Sequence, residues 1–126
     1  WQDARRAIEL GSCKIINIKQ ARVGGPFNAR MVHSVCQKKS IPVWCGGLLE
    51  SGVGRAHNIA LATLPNFTLP GDISASERYY REDIVDPPVT VTLRGTIEVP
   101  QGPGIGFAVN EQKLLRYCLR REIVLS

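Results

Sequence analysis

Lys14-Ile15-Ile16-Asn17-Ile18-Lys19, running on into Gln20-Ala21-Arg22-Val23-Gly24-Gly25, decides the fold. β-Branched residues favour strands, and side chains alternate faces along one, so Ile15, Asn17 and Lys19 share one face while Ile16 and Ile18 share the other. The stretch reads as a short buried strand that ends on a lysine. An ammonium beside a buried apolar run needs a partner, a task or a way out to water, because desolvating it is costly or shifts its pKa. A lysine that has simply reached solvent at a strand end is the competing reading.

Working outward, the apolar residues of Ala4-Arg5-Arg6-Ala7-Ile8-Glu9-Leu10 recur at helical spacing, and Gly11 suits the residue just past a helix end. Downstream, Pro26 suits the first position of a second helix. Phe27, Met31, Val32 and Val35 form its apolar stripe, and His33 within it reads as a surface or packing residue rather than a ligand. A second buried strand covers residues 41–45, with Pro42 confined to its start. Gly46-Gly47 breaks it, and a small-residue loop carrying Glu50 leads to a helix over residues 55–64, closed by Pro65. Phe67-Thr68-Leu69 reads as a third strand, followed by Pro70-Gly71-Asp72 and a more polar segment over residues 74–86. Helix and strand alternate in the rhythm of parallel βα units with right-handed crossovers.

From Pro87 the texture changes. Residues 89–93 and 96–99 read as an antiparallel hairpin turning at Arg94-Gly95. Gly102-Pro103-Gly104-Ile105-Gly106 is a turn or edge-covering loop rather than a phosphate loop, since no Gly-Lys-Ser/Thr follows it. A short helix is expected over residues 110–118 and a last strand over residues 122–125. The expected organisation is therefore βα units over residues 1–86 and a hairpin, helix and strand over residues 87–126.

At 126 residues, 44% hydrophobic and 21% charged, the chain matches one ordinary globular domain. Its net charge of +5 is spread over isolated basic doublets without aromatic interleaving, so no nucleic-acid partner is expected. Cys13, Cys36, Cys45 and Cys118 lie far apart in apolar segments, which points away from metal clusters and disulfides and toward a reducing cytoplasm. No apolar run approaches a membrane span, and the first residues lack a secretory apolar core. The chain also has no initiator methionine and begins as if within a helix.

Three parallel strands with their helices would leave apolar edges unpaired. A (β/α)8 barrel covers such edges by closing on itself and gathers its active site at the carboxyl ends of the strands. Polar residues stand there in register: Lys19 after the first strand, Glu50 after the second, Asp72 after the third.

The stretches Lys14 to Gly25, Trp44-Cys-Gly-Gly-Leu-Leu-Glu-Ser-Gly-Val-Gly-Arg-Ala-His57 and Leu69-Pro-Gly-Asp-Ile-Ser-Ala-Ser76 resemble the last barrel strands of the enolase superfamily. Within it they are most similar to the muconate-lactonizing subgroup, and there to o-succinylbenzoate synthases and N-acylamino acid racemases. The resemblance implies an α/β fold, the C-terminal part (strands 6–8) of a TIM barrel, with a tail returning toward a capping domain. It also implies an enzyme that removes the proton alpha to a carboxylate, with Lys19 as the catalytic lysine of the sixth strand. Mg²⁺ would stabilise the resulting enediolate, its ligands lying outside this chain together with a second lysine pair. A lysine acting as base needs its pKa depressed by desolvation and nearby positive charge. In a synthase it could instead stay charged and stabilise the intermediate.

The same resemblance implies that Gly46, Gly47, Leu48 and Glu50 line the seventh-strand side of the substrate site and Asp72, Ile73 and Ser74 the eighth-strand rim. The paired glycines would let backbone approach the substrate closely. Dipeptide epimerases carry Asp-x-Asp where this chain has Asp72-Ile73-Ser74, and mandelate-racemase-like enzymes carry a histidine where it has Gly-Gly-Leu. His57 is therefore read as structural. The partners implied are a small-molecule carboxylate, the rest of the barrel or another chain, and a homo-oligomer in the parent enzyme. Without that rest the chain is expected to be inactive, and a non-catalytic half-barrel module that works by assembly stays open beside the enzyme reading.

Overall fold

The structure, a computed structural model, describes residues 1–123. The first helix, α1 (Gln2–Glu9), stops where glycine permits: Gly11 takes a φ of 65°, and the amides of Gly11 and Ser12 return to the carbonyls of Ile8 and Ala7, both at 3.0 Å. That pair of bonds satisfies the last carbonyls of the helix. β1 (Ile16–Ile18) follows, shorter than the stretch 14–19 because only three residues find partners. Ile16, Asn17 and Ile18 pair in parallel with Val43, Trp44 and Cys45 of β2 (Val43–Cys45). The crossover between them is α2 (Pro26–Lys38), with Pro26 opening it. It closes as α1 does, but on a serine: Ser40 has a φ of 54°, and Ile41 and Ser40 donate to the carbonyls of Cys36 at 2.9 Å and Gln37 at 3.1 Å.

The inward face of α2 corrects the sequence reading. Ala29, Val32, His33 and Cys36 are buried, whereas Phe27, expected on the stripe, is 72% exposed. The spacing i, i+3, i+4, i+7 is right for one helical face, but small and polar side chains occupy it. Their size lets the helix pack closely on Ile18, Val43, Cys45 and Leu61, which complete the core. His33 fits because its ring stacks on Phe67, with centroids 5.6 Å apart and planes within 9°, and its Nε2 accepts the Asn66 N–H at 3.3 Å. Burial, and next the charge of Arg30, hold its pKa below the ordinary 6.5.

Only the helix-facing side of β1 is packed. Ile18 is fully buried, while Ile15 on the other face is half exposed and Asn17 is exposed. The third strand expected at residues 67–69 reduces to one parallel bridge between Phe67 and Val43. Around it, Val43 donates to Asn66 at 3.2 Å and Asp72 to Cys45 at 3.1 Å. Pro65 and Pro70 flank this segment and have no N–H to give, which cuts the ladder short. No closed barrel forms among the described residues.

α3 (Gly52–Ala62) begins earlier than the expected 55–64, because the Asp83 carboxylate accepts the Gly52 N–H at 2.8 Å and so caps the helix from far along the chain. A 3₁₀ turn, Ser76–Arg78, follows the polar loop. The expected hairpin over residues 89–99 is absent as a ladder. Its turn forms, with Thr92 donating to Thr96 O at 2.8 Å, but the backbone N–H and C=O of Val89 are taken by Ser76 at 3.1 and 2.8 Å. The antiparallel pair of this region is instead β3 (Val85–Asp86) with β4 (Ala108–Val109). Residues 102–106 turn as read, with Gly106 donating to Pro103 O at 3.1 Å. α4 (Glu111–Arg116) is capped by Asn110, whose side chain accepts the Lys113 N–H at 3.0 Å. The strand expected over residues 122–125 runs outside the described residues.

Candidate active site

The open face of β1 ends at Lys19, and the segments that leave β2 and the 67–69 stretch close around it. The Lys19 ammonium donates to the Gly47 carbonyl at 2.6 Å and stands 3.9 Å from Asp72 Oδ2. Gly47 N–H in turn donates to Asp72 Oδ1. One residue, Gly47, thus holds the lysine by its carbonyl and the aspartate by its N–H. The lysine side chain is 22% exposed and that of Asp72 54%, so the ion pair is open to water and worth little by itself. Its use is to fix where the amine sits.

The paired glycines have a more immediate reason than access for a ligand. A Cβ on Gly46 would run first into the Asn17 side-chain oxygen and then come within 2.6 Å of Lys19 Cγ, and one on Gly47 would lie 2.8 Å from the Asp72 carbonyl. The Asn17 amide, the lysine stem and the Asp72 backbone occupy the space that side chains would need. Leu48 and Glu50 complete the loop: Glu50 accepts the Leu48 N–H at 2.7 Å and the Asn58 side-chain amide at 3.1 Å, bracing the loop against α3. Asp72 and Ser74 line an open cleft of about 870 Å³ together with Gly47, Arg78 and Tyr79. Ile73 borders that cleft too and packs against the core. His57 is exposed on α3.

Among the described residues no group of three or more His, Cys, Asp or Glu side chains could hold a metal ion. The carboxylates present do not fit Mg²⁺. Both Glu50 oxygens are engaged by Leu48 and Asn58, and Asp72 is held by the Gly47 N–H and the Lys19 ammonium. All four cysteines are free, and burial first of all pushes the Cys45 thiol up to about 12 and the Cys36 thiol to about 11, which keeps both inert. Among the described residues, no helix is long and apolar enough to cross a membrane.

The family described as Enolase C-terminal domain-like matches residues 1–113. The chain belongs to that family. It is 55% identical over 117 residues to the o-succinylbenzoate synthase of Geobacillus kaustophilus, a match covering 93% of this chain and 31% of that protein. It is 58% identical over 105 residues to an N-succinylamino acid racemase of Amycolatopsis, covering 83% of this chain and 28% of the racemase. The crystal structure of an enolase-superfamily member from Listeria innocua superposes with a TM-score of 0.86 at 48% identity, over 92% of this chain and 31% of that one. The chain therefore spans about a third of the length of its enolase-superfamily relatives, and as an α/β unit it matches the C-terminal third of their barrel proteins.

Sequence reasoning missed a second cluster behind these loops. Asp83, Arg55 and Ser76 are buried together, with Arg55 Nη1 3.5 Å from Asp83 Oδ2 and the Ser76 hydroxyl donating to the same oxygen at 2.5 Å. The available signal was an arginine within a largely apolar helix and an aspartate directly before Ile84-Val85.

Proposed function

We propose that this chain supplies the strand-six to strand-eight portion of an enolase-superfamily enzyme that abstracts the proton alpha to a carboxylate, and that the parent is an o-succinylbenzoate synthase. The observation that carries this reading is the seating of Lys19. Its amine ends a strand on the unpacked face, held by a backbone carbonyl rather than neutralised in a tight ion pair, so it remains available to a ligand on that face. Identity of 55% to a synthase across 93% of the chain supports the same assignment. In the parent, Lys19 would hold or move the proton at the carbon next to the carboxylate. As an ammonium it would stabilise the negative charge that develops there, and as a free amine it would act as base on one face. Gly46, Gly47, Leu48, Glu50, Asp72, Ile73 and Ser74 would shape the rim around that carbon. Mg²⁺ and the opposing lysines would belong to strands outside this chain.

The racemase reading stands beside it, because identity to the N-succinylamino acid racemase is 58%. Both reactions begin with the same proton transfer. The test is to combine the chain with the remaining barrel strands in magnesium-containing buffer and follow exchange of the alpha proton in succinylated substrates. Exchange that falls by about 100- to 10,000-fold in Lys19→Ala, the usual contribution of a positioned acid or base, supports the proposal. Assembly with no exchange at all would refute it and leave a module that acts by association alone. Net dehydration against racemisation in the same assay separates the two enzymes.

A further inference from the structure

We propose that Asp83 is the positioning residue for Lys19, acting through the two loops that meet at the amine; this rests on the role for Lys19 given above. The Asp83 side chain is 1% exposed and ties together segments far apart in sequence. It accepts the Gly52 N–H at 2.8 Å, and Gly52 ends the loop that carries Gly46, Gly47 and Glu50. It accepts the Ser76 hydroxyl at 2.5 Å, and Ser76 ends the loop that carries Asp72 and Ser74. The far ends of both loops are thus fixed on one carboxylate. Their near ends meet in the bond from the Gly47 N–H to Asp72, at the residue whose carbonyl receives the Lys19 ammonium.

The junction has no slack, since a Cβ on Gly52 would overlap the Val85 side chain and lie 3.0 Å from the Asp83 carboxylate. Arg55 adds a tether of its own. Its guanidinium lies over the rings of Tyr79 and Tyr80, 5.6 and 5.7 Å from their centroids, and the Tyr80 hydroxyl donates to Leu49 in the first loop at 2.5 Å. Arg55 Nη2 is buried without a partner, a cost that an apolar filling of the same volume would avoid. What the charged pair adds over such a filling is direction: hydrogen bonds that set both loops at once.

The test follows the Gly47 amide of the ¹⁵N-labelled chain. In Asp83→Asn this amide is expected to lose the low-field position given by its bond to a carboxylate and to exchange with solvent about tenfold faster, the effect of weakening one charge-assisted hydrogen bond. Ile18 and Val43 resonances in the paired strands should stay, showing that the fold persists. Asp86→Asn, which cuts the carboxylate clasp on α4, should leave Gly47 unchanged. An unaltered Gly47 amide in Asp83→Asn, or an equal change in Asp86→Asn, overturns the proposal. Should Asp83→Asn fail to fold, Ser76→Ala removes the second-loop tie to Asp83 together with the hydroxyl's bond from the Val89 N–H and leaves the Gly52 tie in place, and the same two outcomes apply to it. In the reassembled enzyme, Asp83→Asn should lower kcat by about tenfold while KM moves by less than about twofold, the pattern of a misplaced reacting group. Absence of exchange by the wild-type assembly would count against Lys19 as the reacting amine, and the Gly47 amide would still decide whether Asp83 places it.

Discussion

The strands and helices up to α3 and the region beyond Pro87 are held together by different means. The first has a contiguous apolar core in which Ile18, Ala29, Cys36 and Val43 are fully buried. The second keeps its shape by polar clasps: Asp86 receives Lys113 at 2.8 Å and Asn110 at 2.7 Å, and Glu82 receives Arg116 at 2.9 Å and Tyr117 at 3.0 Å. Large apolar side chains of that region stand in water, Leu93, Leu114, Leu115 and Leu119 among them. Burial of apolar surface makes the first region self-supporting, while hydrogen bonds at a water-exposed surface give the second a geometry but little cohesion. Asp83 belongs to the first kind by its burial and to the second by its chemistry.

That contrast can be broken or sharpened by substitution. The largest effect is expected at the junction, where Asp83→Ala leaves the Arg55 charge buried without its partner and should cost about 3–5 kcal/mol in urea unfolding. A loss under about 1 kcal/mol would mean that water reaches Arg55 and that the junction is no different from the tail clasps. Next, Ile18→Ala should cost about 2–5 kcal/mol, as deletions in packed cores do, whereas Leu119→Ala, at a fully exposed side chain, should stay within about 0.5 kcal/mol. Similar costs at both positions would abolish the distinction.

Acidity separates the regions by the range in which each responds. The folded pKa of His33 lies below 6.5, so its contribution to stability is complete above that value and is lost as pH falls through the folded pKa. The folded pKa of Asp86 lies below 3.8, first because Lys113 donates to it, so its clasp is complete above that value and fails only in stronger acid. Lys113, raised above 10.5 by the same bond, keeps its part until strongly alkaline pH. Unfolding followed between pH 7 and 5 should therefore weaken the core region first, and His33→Gln should remove that dependence. The smallest effect concerns the close of α2: Ser40→Gly relieves a left-handed backbone on an exposed residue and should stabilise by up to about 1 kcal/mol in thermal unfolding.

How much of this was legible in the sequence follows the range of the forces involved. The alternation of β1, the glycine after α1 and the proline opening α2 are set by neighbours in the chain, and they stand where the pattern puts them. Helical periodicity gave α2 and, in Val32, part of its inward face, but apolar character also marked Phe27, while the packing chose Ala29, His33 and Cys36 for their size and fit. The hairpin reading failed for a similar reason. Alternating Val and Thr suit a strand, yet Val89 spends its backbone groups on Ser76, a partner that no local pattern names. Lys19, Gly46, Gly47 and Asp72 were legible as strand-end residues, and their mutual bonds were not. Asp83 was invisible because its ties to Gly52 and Arg55 reach back about thirty residues along the chain.

The crowding of Gly46 against the Asn17 amide and the stem of Lys19 yokes three positions that an engineer would otherwise vary one at a time. A library randomised at 46 alone should return mostly glycine. Opening both 17 and 19 to shorter side chains in the same library would let other residues in, at the price of the amine.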